Sequence, residues 1–184
     1  SLRRSAQLLH VRPDLVLLPL RGNIDTRIQK AVNGEYDAII LAAAGVYRLG
    51  LQEFVQEELS MEIMLPAPGQ GALAIQSRKN DKTLNSILST IEDKNTRHAV
   101  IAERSFLKNL GGGCSAPVAA YAYIKDDLLY MDGLVASVDG EKILRVNGSC
   151  KNTLDQASQL GMVLAGAILR RGAKNLLQLV KGAS

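Results

Sequence analysis

The sequence has no tryptophan, and phenylalanine and tyrosine together make up only 4% of it. So few rings argue against a surface that stacks nucleic-acid bases. Cysteine is nearly as scarce. Cys114 and Cys150 are the only two, too few for a disulfide framework, which points to a reducing, cytoplasmic compartment. The two histidines, His10 and His98, stand alone, and with so few cysteines no metal-ligand spacing arises. No apolar run approaches the roughly 20 residues that cross a bilayer. The opening "SLRRSAQLLHVRPD" has neither the apolar stretch nor the cleavage site of a signal peptide, and no initiator methionine, as in a fragment or a processed product.

What is present is an ordinary globular composition. The 184 residues are 47% hydrophobic, enough for one large domain or two small ones. The net charge of +4 is modest but unevenly placed: Arg3, Arg4, Arg12, Arg21, Arg27 and Arg48 all fall in the first 48 positions. That asymmetry favours a small anionic ligand over a nucleic-acid stripe.

Periodicity divides the chain. Residues 1–10 read as a helix that Ser1 can cap. "DLVLLPL" (14–20) and "DAIILAAAG" (37–45) are continuous apolar runs, as expected of strands covered on both faces, with a helix ending at Asn33-Gly34 between them. Strand, helix, strand implies a right-handed parallel crossover, and a short helix over 51–59 closes this α/β part. "LPAPGQGALAIQSRKND" (65–81) reads as a crossing between domains, with a strand at 72–75. Two helices (81–91 and 94–110) follow, then three strands joined at "KDD" and "VDGE", then a helix from about 153 to 171. The second half is therefore α+β with a small antiparallel sheet.

Arg21 leaves an apolar strand and Arg27 lies in the helix that follows, where N–H groups and the dipole favour an anion at the strand's carboxyl end. Arginine's planar fork suits a carboxylate or phosphate. Solvated surface arginines are the bland alternative, but Arg48 repeats the pattern after the second run. Arg3 and Arg4 oppose the dipole of the first helix, a small cost that a bound anion would offset. Cys114 follows Gly111, Gly112 and Gly113, which let a ligand come close to the backbone. It reads either as an idle or buried thiol or as a nucleophile and attachment point. His98, in a helix, gives no protease-like pair with it. Cys150, beside "NGS" at a strand end, reads as structural or inert.

Taken together, "SLRR", "LRGNIDTR", "NGEYDAIILAAAGVYRLG", "LPAPGQGALAI", "AERSF" and "GGGCSAPVAAYA" resemble the porphobilinogen deaminase (hydroxymethylbilane synthase) family over essentially the whole chain, in family order. The resemblance implies a three-domain transferase of tetrapyrrole biosynthesis. On it, residues 1–64 are most of a second, periplasmic-binding-protein-like, doubly wound α/β domain. Residues 65–90 form the crossing segment and elements of the otherwise missing first domain, and 91–184 the C-terminal α+β domain. It implies a dipyrromethane cofactor in thioether linkage to Cys114, onto which four porphobilinogen units are condensed with loss of ammonia. Ser1, Arg3, Arg4, Arg21, Gly22, Arg27, Arg48 and Gln70 would bind the carboxylates. The family's catalytic aspartate matches no residue here, so no catalytic residue and no metal is assigned and the fragment alone is expected to be inactive. A cytoplasmic monomer when full length, without nucleic-acid or membrane partners, is implied as well. A non-catalytic anion-binding module that keeps the arginines and leaves Cys114 unmodified is the alternative.

Overall fold

The computed structural model describes residues 1–111 and 117–181, with side chains described as far as 178. It falls into two compact units, Leu15–Ser60 and Ser1–Asp14 with Met61–Ser184. Among the described residues the protein is mixed α/β with one three-stranded antiparallel sheet.

The larger unit begins with helix α1 (Leu2–Val11) and resumes at α4 (Lys82–Thr90) and α5 (Lys94–Asn109). Both later helices start where an aspartate caps a free N–H: Asp81 accepts from Leu84 N at 3.1 Å and Asp93 from Thr96 N at 2.6 Å. Strands β1 (Val118–Lys125), β2 (Leu128–Ala136) and β3 (Ile143–Lys151) follow as a meander, then α6 (Leu154–Ile168). The β1–β2 hairpin turns through Asp126 and Asp127, both left-handed at φ 49° and 58°, as a tight mirror-image turn requires. It pairs Val118 with Val135 and Lys125 with Leu128.

One sheet face is apolar and packs on α5 and α6. Val118, Ala120, Leu129, Met131, Phe106, Leu164 and Ile168 form its core. Gly133 permits this packing, since a Cβ there would lie 2.6 Å from the Phe106 ring. The two helices touch at Gly161 of α6, against the backbone of α5 at Ala102 and Phe106. The opposite face carries a second cluster of Ala6, Leu65, Ala119, Leu134 and Ala136, and beyond it the stacked rings of Tyr121, Tyr123 and Tyr130.

The smaller unit holds α2 (Ile24–Val32), α3 (Ala43–Arg48) and a 3-10 turn at Gln52–Phe54, around buried Ile28 and Val46. Here several expectations fail. The runs at 14–20 and 37–45 are not buried strands: neither joins a ladder, Val16 is 84% exposed, and α3 begins at Ala43. The run at 72–75 behaves likewise, with Leu73 93% exposed. Apolar content marks a segment able to be a covered strand, but pairing needs neighbours, and no described strand lies beside these. The helix expected at 51–59 is only the 3-10 turn. The last helix is longer than expected and kinked: α6 passes through a π turn at Leu169–Ala173, with Gly172 at φ 95°, into α7 (Lys174–Lys181).

Candidate functional site

Helix α1 brings two cations to one end of the larger unit. Its first turn has no acid and contains Arg3 and Arg4, both half-buried. Ser1 takes the N-cap position, but only its carbonyl is used, accepting from Ser5 N at 2.9 Å; the expected side-chain cap is absent. The guanidinium of Arg3 donates through Nε to the Val118 carbonyl, at the start of β1 and four residues beyond Cys114 in sequence. Cys114 itself lies outside the described residues.

Three side-chain and backbone contacts fix α1 in place. Gln7, 1% exposed, donates from Nε2 to Leu65 O at 3.0 Å, while its Oε1 accepts from Leu65 N at 2.8 Å. The amide thus satisfies both polar groups of a buried backbone residue. His10 donates from Nδ1 to Gly140 O at 2.9 Å, a carbonyl that fixes the tautomer. Gly140, in the β2–β3 turn at φ 76°, sits so close that a Cβ would stand 2.5 Å from Ala6 O.

Gln70 is exposed at the tip of a tight turn in which its N–H donates to Ala67 O at 2.9 Å, flanked by Gly69 and Gly71 at φ 78° and 92°. Below it lies Glu103 of α5, 5% exposed. Its Oε2 accepts from Gly69 N at 2.5 Å and its Oε1 from Ala122 N of β1 at 2.7 Å. Burial pushes this carboxyl above its ordinary value of 4.5, and the two N–H bonds draw it partly back.

In the smaller unit, Arg21 is exposed and Gly22 holds φ 120° at the entrance to α2. Arg27 reaches back from α2 and donates through Nε to Gly22 O at 2.7 Å, so the loop and its arginine form one piece. Arg48 is exposed in the last turn of α3, where a cation suits the helix dipole. The candidate residues therefore form two groups: Ser1, Arg3, Arg4 and Gln70 in the larger unit, Arg21, Gly22, Arg27 and Arg48 in the smaller.

Two family descriptions match the chain: "Porphobilinogen deaminase, dipyromethane cofactor binding domain" over residues 1–86 and "Porphobilinogen deaminase, C-terminal domain" over 98–170. The chain belongs to the porphobilinogen deaminase family. It is 47% identical over 183 residues to the porphobilinogen deaminase of Geobacillus sp. (strain WCH70) and 41% identical over 181 residues to that of Carboxydothermus hydrogenoformans. Each alignment takes in 98% of this chain and 58% of the relative, so the chain spans less than two thirds of their length. Cys114 lies within the C-terminal domain match, and every other candidate lies within the cofactor-binding domain match.

Cys150 and His98, neither of them a site candidate, have packing and bridging partners. The Cys150 thiol is half-buried and burial raises its pKa, as suits an inert packing residue. His98 Nδ1 lies 2.7 Å from Asn152 Oδ1, and Asn152 Nδ2 donates to Asn95 Oδ1 at 2.8 Å, pinning α5 to the end of β3. Among the described residues no cluster of His, Cys, Asp and Glu could hold a metal ion, and no helix is long and apolar enough to cross a membrane. Gln7 and Glu103 were not legible as functional residues, because a buried polar side chain is defined by partners far away in sequence.

Proposed function

We propose that this sequence is part of a hydroxymethylbilane synthase, a transferase that builds a linear tetrapyrrole from porphobilinogen on a dipyrromethane held by Cys114. The observation that carries the reading is the acid-free start of α1. There two arginines crowd a helix N-terminus, and one of them is fixed to β1 just beyond the cysteine segment. First-turn N–H groups, helix dipole and guanidinium forks together are the donor set for a ligand rich in carboxylates, which is what a substituted dipyrromethane presents.

The residues divide the work by charge. Arg3 and Arg4, with Ser1 and the first-turn N–H groups, hold carboxylates of the cofactor. Arg21, Gly22, Arg27 and Arg48 offer a second cationic surface for the acetate and propionate groups of incoming units, and Gln70 adds an amide from the crossing turn. Cys114 would hold the cofactor through a thioether and serve as its tether during turnover. When bound, dipyrromethane supplies the nucleophilic pyrrole carbon to which four units are joined, each losing ammonia. No residue of this sequence is assigned the acid that drives that loss.

The finer architecture belongs to the same proposal. Residues 1–64 contribute to a doubly wound, periplasmic-binding-protein-like domain, 65–90 cross between domains, and 91–184 form the cofactor-bearing α+β domain. The complete protein is a cytoplasmic monomer with porphobilinogen as its partner.

Intact-mass measurement on the complete gene product tests the assignment. The wild type should carry a covalent adduct that Cys114→Ser lacks, and the 184-residue chain alone should not turn over porphobilinogen. An active protein whose Cys114 is an unmodified, freely alkylated thiol would overturn it. Retained arginines with neither adduct nor turnover would leave the anion-binding module.

A further inference from the structure

We propose that Gln7 and Glu103 are positioning residues, a buried polar clasp that fixes Arg3, Arg4 and Gln70 around the strand leaving the cysteine segment. The inference rests on the enzyme reading above but uses residues to which that reading gives no role.

The clasp is built on residues 65–69. At one end Leu65 is gripped through both its N–H and its carbonyl by the Gln7 amide. In the middle the Pro66 carbonyl accepts from Ala120 N of β1 at 3.1 Å. At the other end Gly69 donates to Glu103, which takes its second bond from Ala122 of the same strand. Ala120 and Ala122 are alternate residues of β1, so both N–H groups leave the same edge of the strand: the first binds the segment directly and the second binds it through Glu103. Gln7 lies one turn beyond Arg3 and Arg4 on α1, and Gly69 directly precedes Gln70. Helix, turn and strand cannot shift independently while both side chains hold.

Both residues are poor choices if packing alone mattered. A buried carboxylate costs more to desolvate than a leucine of similar volume, and a buried amide is tolerated only when fully bonded. Their geometry instead supplies direction. A carboxylate offers two acceptors with no donor, matching two N–H groups on different segments, and an amide joins an NH2 donor to a carbonyl acceptor, matching the C=O and N–H of one residue. Both are buried, at 1% and 5% exposure, so each acts through the groups it holds.

The test uses the complete gene product with Glu103→Gln and Gln7→Leu. Three readouts are taken: amide hydrogen exchange, the fraction of protein carrying the covalent adduct, and KM and kcat for porphobilinogen. Glu103→Gln replaces one acceptor by a donor facing an N–H. It should lower protection at Gly69 and Ala122, raise KM about tenfold and leave kcat within about threefold. Gln7→Leu should expose the Leu65 amide, leave Gly69 protected, and lower adduct occupancy. Glu103→Asp, which keeps the acceptors on a shorter stem, should recover part of the KM. Folded variants with wild-type KM and full adduct occupancy would overturn the proposal, as would a lowered melting temperature with no change in KM. If the wild type shows neither adduct nor turnover, the enzyme reading fails on its own. The clasp is then decided by exchange: retained protection at Gly69 and Ala122 in Glu103→Gln overturns it.

Discussion

Two glycines on α6 should respond to alanine in opposite directions. In an exposed helix interior, Gly→Ala gains about 1 kcal/mol from reduced backbone entropy. At Gly166 the added Cβ meets only the Arg170 guanidinium at 3.4 Å, the movable end of a long side chain, so most of that gain should survive. At Gly161 the same methyl would overlap the Ala102 carbonyl oxygen and lie 2.8 Å from both Phe106 N and the Ser105 Cβ. Carbon contacts normally settle at about 3.5–4.0 Å. Two of the obstructing atoms are α5 backbone, which cannot rotate away, so α6 must lift from its neighbour. Overpacking of this kind costs about 1–3 kcal/mol, here at the upper end, and outweighs the propensity gain. Gly161→Ala should lose about 1–2 kcal/mol and Gly166→Ala should gain about 0.5–1, measured as shifts of the urea midpoint by circular dichroism with unchanged m-value. A Gly161→Ala protein as stable as its parent would mean that α5 and α6 do not approach through that glycine, and the packing of the cysteine-bearing unit would need redrawing.

Other expectations are simpler. Phe106→Ala, removing a side chain with 0% exposure from the centre of the core, should cost about 3–5 kcal/mol in the same assay. Gly140→Ala should push α1 off the β2–β3 turn and be read as faster exchange of the α1 amides, because its Cβ would strike Ala6 O at a backbone φ of 76°. The raised pKa of Glu103 has a definite sign. The folded protein holds this proton more tightly than the unfolded chain, so the group's contribution to stability is greatest below pH 4.5 and declines as pH rises through its folded value. Against the non-titrating Glu103→Gln, the wild type should therefore lose relative stability over that interval in pH-dependent urea unfolding, and a difference flat with pH would refute it.

The α+β unit was the more legible part of the sequence, for a physical reason. Its helices carry their own start signals in Asp81 and Asp93, and its strands lie next to one another in the chain, so local alternation and turns suffice to define them. The apolar runs at 14–20, 37–45 and 72–75 carry no such local instruction. Strand pairing in a parallel sheet is contributed by distant segments, and apolar content is silent on whether those segments are at hand. Arg3, Arg4 and Arg27 followed from their places in helices, and the structure keeps Arg27 bound to Gly22 and Arg3 bound to β1, whereas Arg21 and Arg48 followed from apolar runs that form no strands. Gln7 and Glu103 escaped notice because their bonding is set by Leu65, Gly69 and Ala122, which no spacing rule connects to them.

The left-handed pair Asp126–Asp127 acts as a gauge for the opposite end of the sheet. A two-residue turn permits one alignment of β1 against β2, and side chains alternate between faces along a strand. A slip of one residue would replace Ala122 by a tyrosine at Glu103 and carry Val118 away from Arg3. It would also turn the tyrosine stack toward the helices. The phase of the chain where it meets the arginine helix is thus measured out from two aspartates at the far end of the sheet.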